Sequence, residues 1–168
     1  MHVRIKIVLL LFMLFAYVSY SQKNNIVNDT AKVSADTLLA FAKKNLGITY
    51  KYGSTNPKTG FDCSGFVYYV FGHFNIKVPR ASMDYERAGE IIPVDQCRPG
   101  DVIVFTGTNI KNRAPGHVGI ILSNTEKEIN FIHSSSGHNG VGVIITNFKD
   151  SPYYQSRFIK IVRLAAVY

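Results

Sequence analysis

Two segments in the first half of the chain carry apolar residues at helical spacing. The first begins with Ser34, a good N-cap, and its apolar stripe runs to about Leu46, where Gly47 provides a stop. The second is the segment FDCSGFVYYVF, residues 61–71. Its stripe contains Cys63 and the residues that follow at i+4, i+7 and i+11, namely Val67, Val70 and Phe74. Each segment is therefore predicted to be an amphipathic helix that packs inward.

After residue 100 the apolar residues form short runs separated by polar turns. Strands are predicted at residues 102–105, 117–122, 129–134, 141–147 and 157–164. A short helix capped by Ser82 and ending at Gly89 is predicted before them. Helices followed by consecutive antiparallel strands are an α+β pattern, so we expect N-terminal helices packed on a meandering antiparallel sheet of about five strands.

The N-terminus has the pattern of a secretory signal peptide. Arg4 and Lys6 precede an apolar run over residues 7–18, and small residues follow at Ser19 and Ser21. The run is shorter than the ~20 apolar residues that a membrane span needs. We expect cleavage after Ser21, with an uncleaved tether as the alternative. A secreted or periplasmic protein without a stable membrane anchor would result.

The rest of the chain has the size of one domain. We predict a signal peptide over residues 1–21, a flexible leader over 22–33 and a single domain over 34–168. Removing the signal peptide takes away two basic residues and no acids, so the formal charge would fall from +8 to +6. A basic surface suits an acidic partner. The basic residues are scattered and no nucleic-acid motif accompanies them, so we do not expect nucleic acid to be that partner. We expect the protein to be a monomer.

Cys63 is the candidate for chemistry because of its predicted position at a helix start. Asp62 is expected to cap the helix by accepting a hydrogen bond from the amide of Ser64 or Gly65, which places Cys63 in the first turn. The helix dipole there favours a thiolate, while the charge of Asp62 opposes it. A structural cysteine buried in the core is the alternative interpretation.

Two histidines offer a base for that thiol. His117 begins the run HVGIIL, His133 lies in the run INFIHS, and the polar stretch between them predicts a hairpin centred near Thr125. This register pairs His117 with His133 on one face of the sheet. A nucleophile, a base and a residue that orients the base would then be present. A zinc site made of the same three residues is the alternative, although no CxxC or HExxH motif accompanies them.

A second cysteine raises the question of a disulfide. Cys97 lies just before the turn Pro99-Gly100-Asp101, and a bond to Cys63 would block the nucleophile. We expect both thiols to be free. Asp101 is expected to bond the local backbone of its turn. Arg80 is either a substrate contact or a solvated arginine.

Five motifs follow one another along the chain. They are DCSGFVYYVF at 62–71, VPRAS at 78–82, RPGD at 98–101, GHVGI at 116–120 and FIHSSS at 131–136. Together they resemble the NlpC-type cell-wall cysteine peptidases of bacteria, a papain-like group, over about residues 36–164. The resemblance implies a papain-like fold with Cys63 as nucleophile, His117 as base and His133 as the residue that orients the base.

The resemblance also indicates residues that bind substrate. The segment GITYKYG, residues 47–53, is similar to a family segment whose tyrosine lies at the active site, which implies that role for Tyr50. Asp62 and Ser64 flank the nucleophile and are predicted to contact substrate as well. The segment departs from the family pattern at three positions, Thr49, Tyr52 and Ser54.

The activity implied by the resemblance is that of an exported endopeptidase. It would hydrolyse peptidoglycan stem peptides through a Cys63 thioester, at the bond between the D-glutamyl γ-carboxyl and the diamino acid, and without a cofactor or metal. An N-acetylmuramoyl-L-alanine amidase and an acyltransferase are alternatives with the same chemistry. A wall-binding protein with a spent site is a further alternative, which the joint presence of Cys63, His117 and His133 disfavours.

Overall fold

The computed structural model describes residues 32–137, 141–164 and 166–168. The predicted signal peptide and residues 22–31 of the predicted leader lie outside the described residues. Val33, the last residue assigned to the leader, is buried, and its amide donates to the carbonyl of Ala166 at 3.0 Å. The packed domain therefore includes Val33. No helix in the described part of the chain is long and apolar enough to cross a membrane.

The first predicted helix is present but shorter than expected. This helix, α1, spans Ala35–Lys43, and the Ser34 hydroxyl caps it by accepting a bond from the Thr37 amide. The prediction had extended the helix to Leu46. The chain instead leaves the helix through a turn that ends at Gly47, whose φ of 83° is accessible to glycine at little cost. The Gly47 amide then donates to the carbonyl of Val143 in the main sheet.

The second helix, α2, spans Cys63–Gly72 and begins where it was predicted to begin. A hairpin of two-residue strands, β1 (Thr55–Asn56) and β2 (Gly60–Phe61), leads into it. These strands were not predicted because two residues are too few to show an alternating pattern. The predicted Ser82 helix is a 3₁₀ helix over Ser82–Glu86, without a side-chain cap and ending before Gly89, so that prediction is wrong in its cap and its end.

The main sheet has six strands, with all neighbours antiparallel. They are β3 (Glu90–Ile92), β4 (Val102–Thr106), β5 (Pro115–Asn124), β6 (Ile129–Ser136), β7 (Val141–Asn147) and β8 (Phe158–Arg163). A short helix, α3 (Pro152–Arg157), lies between β7 and β8. The spatial order is β3-β8-β4-β5-β6-β7. The sheet therefore contains a meander from β4 to β7.

The α+β class is confirmed, with two differences in the sheet. All five predicted strands are present, but β8 returns to pair with β4 instead of extending the meander past β7. The extra strand, β3, pairs with β8 and was missed because it has only three residues, two of them exposed. The turn before β4 is held as predicted, since the Asp101 carboxylate accepts from the Arg98 amide, and it also pairs with Arg163 of β8 at 2.8 Å.

Alternating residues of the sheet divide the core into two clusters. On one face α1 and α2 cover residues such as Val104, Val118 and Ile120. On the other face Tyr154 of α3 packs among residues that include Phe105. The sheet is thus covered by helices on both faces.

Candidate active site

Cys63 is the first residue of α2, where its thiol meets the main sheet. The Asp62 carboxylate accepts a bond from the Gly65 amide at 2.5 Å, which confirms the predicted cap. The Cys63 side chain is buried, and its sulfur lies 3.9 Å from the carbonyl oxygen of Gly116 on β5. The helix start therefore brings the sulfur to the strand that carries His117.

A line of hydrogen bonds runs from His117 into the sheet. His117 Nε2 lies 2.9 Å from His133 Nδ1, and His133 Nε2 lies 3.0 Å from the Thr146 hydroxyl on β7. His133 is fully buried, and its ring stands at 89° to that of His117. Because His117 Nε2 is engaged by His133, Nδ1 is the His117 nitrogen left to exchange a proton with a thiol.

The two histidines meet in a register that differs from the predicted one. Ile120 pairs with Ile132, so the same register continued by one residue places Gly119, and not His117, opposite His133. The hairpin turn is centred between residues 126 and 127, since Asn124 pairs with Ile129, and not at the predicted residue 125. An irregularity between Ile121 and Ser123 then changes the register by one residue, so that the pairing near the histidines differs from the predicted one by two residues. A shift of two keeps His117 and His133 on their predicted face and preserves the contact.

Gly119 leaves room for this contact. A β-carbon built on Gly119 would lie 3.0 Å from the β-carbon of His133 and 2.8 Å from the Phe131 ring. Real β-carbons essentially never approach within 3.0 Å of another heavy atom. The absence of a side chain at Gly119 therefore allows His133 and Phe131 to occupy their positions.

Burial keeps both histidines neutral. Burial and, to a smaller extent, the positive charge of Arg157 together lower the pKa of His117 to about 4. Burial also lowers the pKa of His133 well below its ordinary value, with the charge of His117 as a second cause. Neither ring carries a proton charge near neutral pH, so His117 is able to act as a base.

The resting thiol is neutral as well. Burial raises the pKa of Cys63, and the charge of Asp62 raises it further. Arg80 offsets part of that charge through two bonds to Asp62, from Nη1 at 3.1 Å and from Nη2 at 2.8 Å. The expectation that the helix start would favour a resting thiolate is not met, because burial and the charge of Asp62 both raise the thiol pKa.

Cys63 and His117 line one cavity of about 240 Å³. Tyr50 is part of the same wall, as the sequence predicted, together with Ser135 of β6 and Tyr154 of α3. Burial raises the pKa of Tyr50 to about 12, with the charge of Cys63 as the next cause. The Tyr50 hydroxyl is therefore protonated at neutral pH and available as a hydrogen-bond donor.

Asp62 and Ser64 do not line this cavity. Both are buried, and the guanidinium of Arg80 bonds to both side chains. They support the start of α2 beside the nucleophile, and substrate contact by these two residues stays a prediction. Arg80 is thus an ion-pair partner of Asp62, and 38% of its side chain is exposed to solvent.

The two cysteines have free thiols in different core clusters. Cys63 belongs to the cluster on the side of α1 and α2, and Cys97 belongs to the cluster on the side of α3. Within the described residues, no group of three or more His, Cys, Asp or Glu side chains is arranged to hold a metal ion.

Thr146 and Arg157 are among the residues of the site that were not predicted from the sequence, as are Ser135 and Tyr154. Thr146 could have been found from the β6–β7 pairing, because it is opposite Phe131 and therefore a same-face neighbour of His133. Arg157 lines the cavity from the end of α3. The start signal of that helix, Ser151 followed by a proline at the first helical position, is visible in the sequence.

A model of the NlpC/P60 family matches residues 47–163. The chain belongs to the NlpC/P60 family. The resemblance stated from the sequence motifs is thereby confirmed.

Two curated relatives show what other members of the NlpC/P60 family are called. Gamma-DL-glutamyl hydrolase of Bacillus subtilis (strain 168) is 34% identical over 136 residues, which cover 81% of this chain and 31% of that protein. Murein DD-endopeptidase MepS/Murein LD-carboxypeptidase of Escherichia coli (strain K12) is 31% identical over 113 residues, which cover 67% of this chain and 53% of that protein. The chain therefore spans at most about half the length of these relatives.

Solved NlpC/P60 structures share the fold. An NlpC/P60 family protein from Bacillus cereus ATCC 10987 aligns with a TM-score of 0.69 and 28% identity, over 81% of this chain and 42% of that chain. The NlpC/p60 domain of the peptidoglycan hydrolase SagA aligns with a TM-score of 0.62 and 26% identity, over 79% of this chain and 100% of that chain.

Proposed function

We propose that this NlpC/P60 protein is an exported, monomeric cysteine endopeptidase that cuts peptidoglycan stem peptides between the D-glutamyl γ-carboxyl and the diamino acid. The supporting observation is the cavity lined by both Cys63 and His117, in which His117 is held from behind by His133. The names of the relatives, a γ-DL-glutamyl hydrolase and a murein endopeptidase, support the substrate class. The signal-peptide pattern of residues 1–21 supports export to the periplasm or the medium.

The first half of the reaction forms a thioester. His117 Nδ1 accepts the proton of the Cys63 thiol as the sulfur attacks the amide carbon of the substrate. The resulting oxyanion faces the backbone amide of Cys63, which as a first-turn amide has no intrahelical acceptor. The Tyr50 hydroxyl is a second donor on the same wall. Collapse of the intermediate breaks the C–N bond, and the leaving amine takes the proton from His117 Nδ1.

The second half of the reaction releases the acid. Water loses a proton to His117 Nδ1 and attacks the thioester carbon. The C–S bond then breaks, and the sulfur recovers the proton from His117. His133 bonds to His117 Nε2 throughout, so it fixes the position and the tautomer of the base without touching the substrate.

Digestion of purified sacculi by the wild-type protein and by Cys63→Ala, with mass analysis of the products, tests this proposal. We expect fragments that end in D-glutamate and a new amino group on the diamino acid, produced by the wild-type protein alone. Cys63→Ala is the matched control, since it removes one sulfur and leaves the helix start intact.

Other product patterns identify the alternatives. Intact stem peptides with a free L-alanine amine would indicate an amidase. Transfer of the acyl group to an added amine, in place of hydrolysis, would indicate an acyltransferase. Identical digests from the wild-type protein and Cys63→Ala would indicate a wall-binding protein. Release of terminal D-alanine, or cleavage between crosslinked peptides, would instead indicate the activities named for the Escherichia coli relative.

A further inference from the structure

The cavity beside Cys63 contains one permanent charge among the described residues that line it. That charge is the guanidinium of Arg157, at the C-terminal end of α3. No aspartate or glutamate is among those lining residues. The cavity therefore favours an anionic group over a neutral one of similar shape.

The protein fixes the Arg157 guanidinium in place without neutralising it. Nη1 donates to the carbonyl of Gly107, and the guanidinium carbon lies 4.2 Å from the centre of the Tyr153 ring. Arg157 Nε is buried and has no hydrogen-bond acceptor within the described residues. The contacts fix the plane of the guanidinium, while its donors are not all used.

Two other arginines, unlike Arg157, lie beside buried carboxylates. Arg80 pairs with Asp62 and Arg163 pairs with Asp101, each at 2.8 Å, and these are the two ion pairs in the described part of the chain. Arg157 has no ion pair with a carboxylate among the residues that the structure describes. A cation that is oriented, partly buried and unpaired in a catalytic cavity has the properties of a carboxylate-binding group.

We infer that Arg157 binds the free α-carboxylate of the γ-linked glutamyl residue of the substrate, an inference that rests on the proposed function. A γ-linked glutamate carries this carboxylate four bonds from the scissile carbonyl carbon, a reach of about 5 Å when extended. Cys63 and Arg157 line one cavity, so in this inference the scissile carbonyl and the α-carboxylate of one glutamyl residue occupy that cavity together. Arg157 thereby sets specificity for glutamate over isoglutamine, whose α-carboxamide is neutral.

The size of this preference follows from the interaction lost. A guanidinium–carboxylate contact that becomes a contact with a neutral amide loses one charge-assisted bond or more. We expect the carboxylate peptide to bind about 10- to 100-fold more tightly than its α-carboxamide analogue.

Binding to the inactive Cys63→Ala protein tests the inference without turnover. The probes are two synthetic stem tripeptides, L-alanyl-γ-D-glutamyl-diamino acid and its α-carboxamide analogue, and the dissociation constants are measured by calorimetry. Adding Arg157→Gln should reduce the ratio of the two constants to near one, and adding Arg157→Lys should leave an intermediate ratio. Arg87→Gln removes an equal charge from an exposed arginine of the surface and should leave the ratio unchanged.

Three results would overturn the inference. They are equal binding of the two peptides by Cys63→Ala, a preference that survives Arg157→Gln, and a loss of affinity in Arg157→Gln that is equal for both peptides, as a purely structural role predicts. Thermal unfolding shows whether Arg157→Gln is folded, and if it is not, an unchanged ratio in Arg157→Lys overturns the inference. Failure of the wild-type protein to cleave either peptide refutes the endopeptidase proposal separately, because the binding ratio is still measured.

Discussion

Cys63 and Cys97 share burial but differ in their surroundings. Their exposed fractions are 8% and 5%, and burial is the largest cause of a raised thiol pKa in both, reaching about 11 in Cys97. Cys63 starts a helix and lines a cavity with His117. The charged groups that act on Cys97 are Asp101, Arg163 and Lys149, none of which is an imidazole. A base and a cavity, and not the acidity of the resting thiol, distinguish the candidate nucleophile.

Removing each thiol in turn is the strongest test of this difference. We expect Cys63→Ala to lose about 10⁴-fold or more in turnover of a stem peptide, because no other nucleophile lines the cavity in the same way. Cys97→Ala should keep kcat/KM within about twofold and lose roughly 1–2 kcal/mol of unfolding free energy, as a small apolar truncation does. Turnover assays and urea unfolding measure the two effects. An equal loss of activity in both variants would contradict the distinction.

The base beside Cys63 is held in place by His133, and Cys97 has no such pair of histidines among the charged groups that act on it. His133→Ala should lower kcat by about 100-fold with little change in KM, because His133 orients the base without contacting substrate. His133→Asn should keep more activity, since an amide can accept from His117 Nε2 and donate to the Thr146 hydroxyl. Steady-state kinetics of the two variants decide the point. Wild-type turnover by His133→Ala would show that His133 is only a strand residue.

Thr146 extends this support by one residue and has a smaller expected effect. For His117 Nδ1 to accept a proton, Nε2 must donate to His133 Nδ1, and His133 Nε2 then carries a proton that needs the Thr146 hydroxyl as acceptor. Thr146→Val leaves that N–H buried without an acceptor and favours the wrong tautomer, so kcat should fall about tenfold. Thr146→Ser keeps the hydroxyl and is the matched control. Equal kcat values for the two variants would remove Thr146 from the site.

The pH dependence sharpens the comparison by reporting on the base alone. His117 must be neutral to accept the thiol proton, and its pKa is lowered to about 4. The acid limb of kcat/KM should therefore lie near pH 4, well below the ordinary histidine pKa of about 6.5. A limb near pH 6.5 would indicate that His117 is not desolvated in solution.

Protein stability follows the same shift and must be measured with the pH profile. The pKa values of His117 and His133 are lower in the folded protein than in the unfolded chain. Their contribution to stability is therefore fully present above the unfolded pKa of about 6.5 and is lost as the pH falls below it. Circular dichroism at each pH separates loss of activity from loss of fold.

Local patterns in the sequence predicted the parts of the site that depend on neighbours in the chain. The Asp62 cap and the start of α2 follow from residue types at adjacent positions, and both are confirmed. The contact of His117 with His133 was predicted from a hairpin, and it survived an error of two residues because side chains alternate along a strand.

Properties set by the whole fold could not be predicted in the same way. The charge of the resting thiol depends on how completely Cys63 is enclosed, and a helix-start argument contains no information on that enclosure. The position of β8 beside β4 depends on how α3 packs, which was not predicted as a helix. Arg157 was missed as a site residue because it is the last residue of α3, which was not predicted as a helix.

The need for a residue without a side chain at position 119 also constrains how this chain can evolve. A methyl group there would collide with the Phe131 ring and press on the β-carbon of His133. In a saturation library selected for activity, Gly119 should be as intolerant as a histidine of the site although it has no functional group. Substitution becomes possible only after a smaller residue has replaced Phe131, so the order in which mutations arise at these two positions decides which lineages keep catalysis.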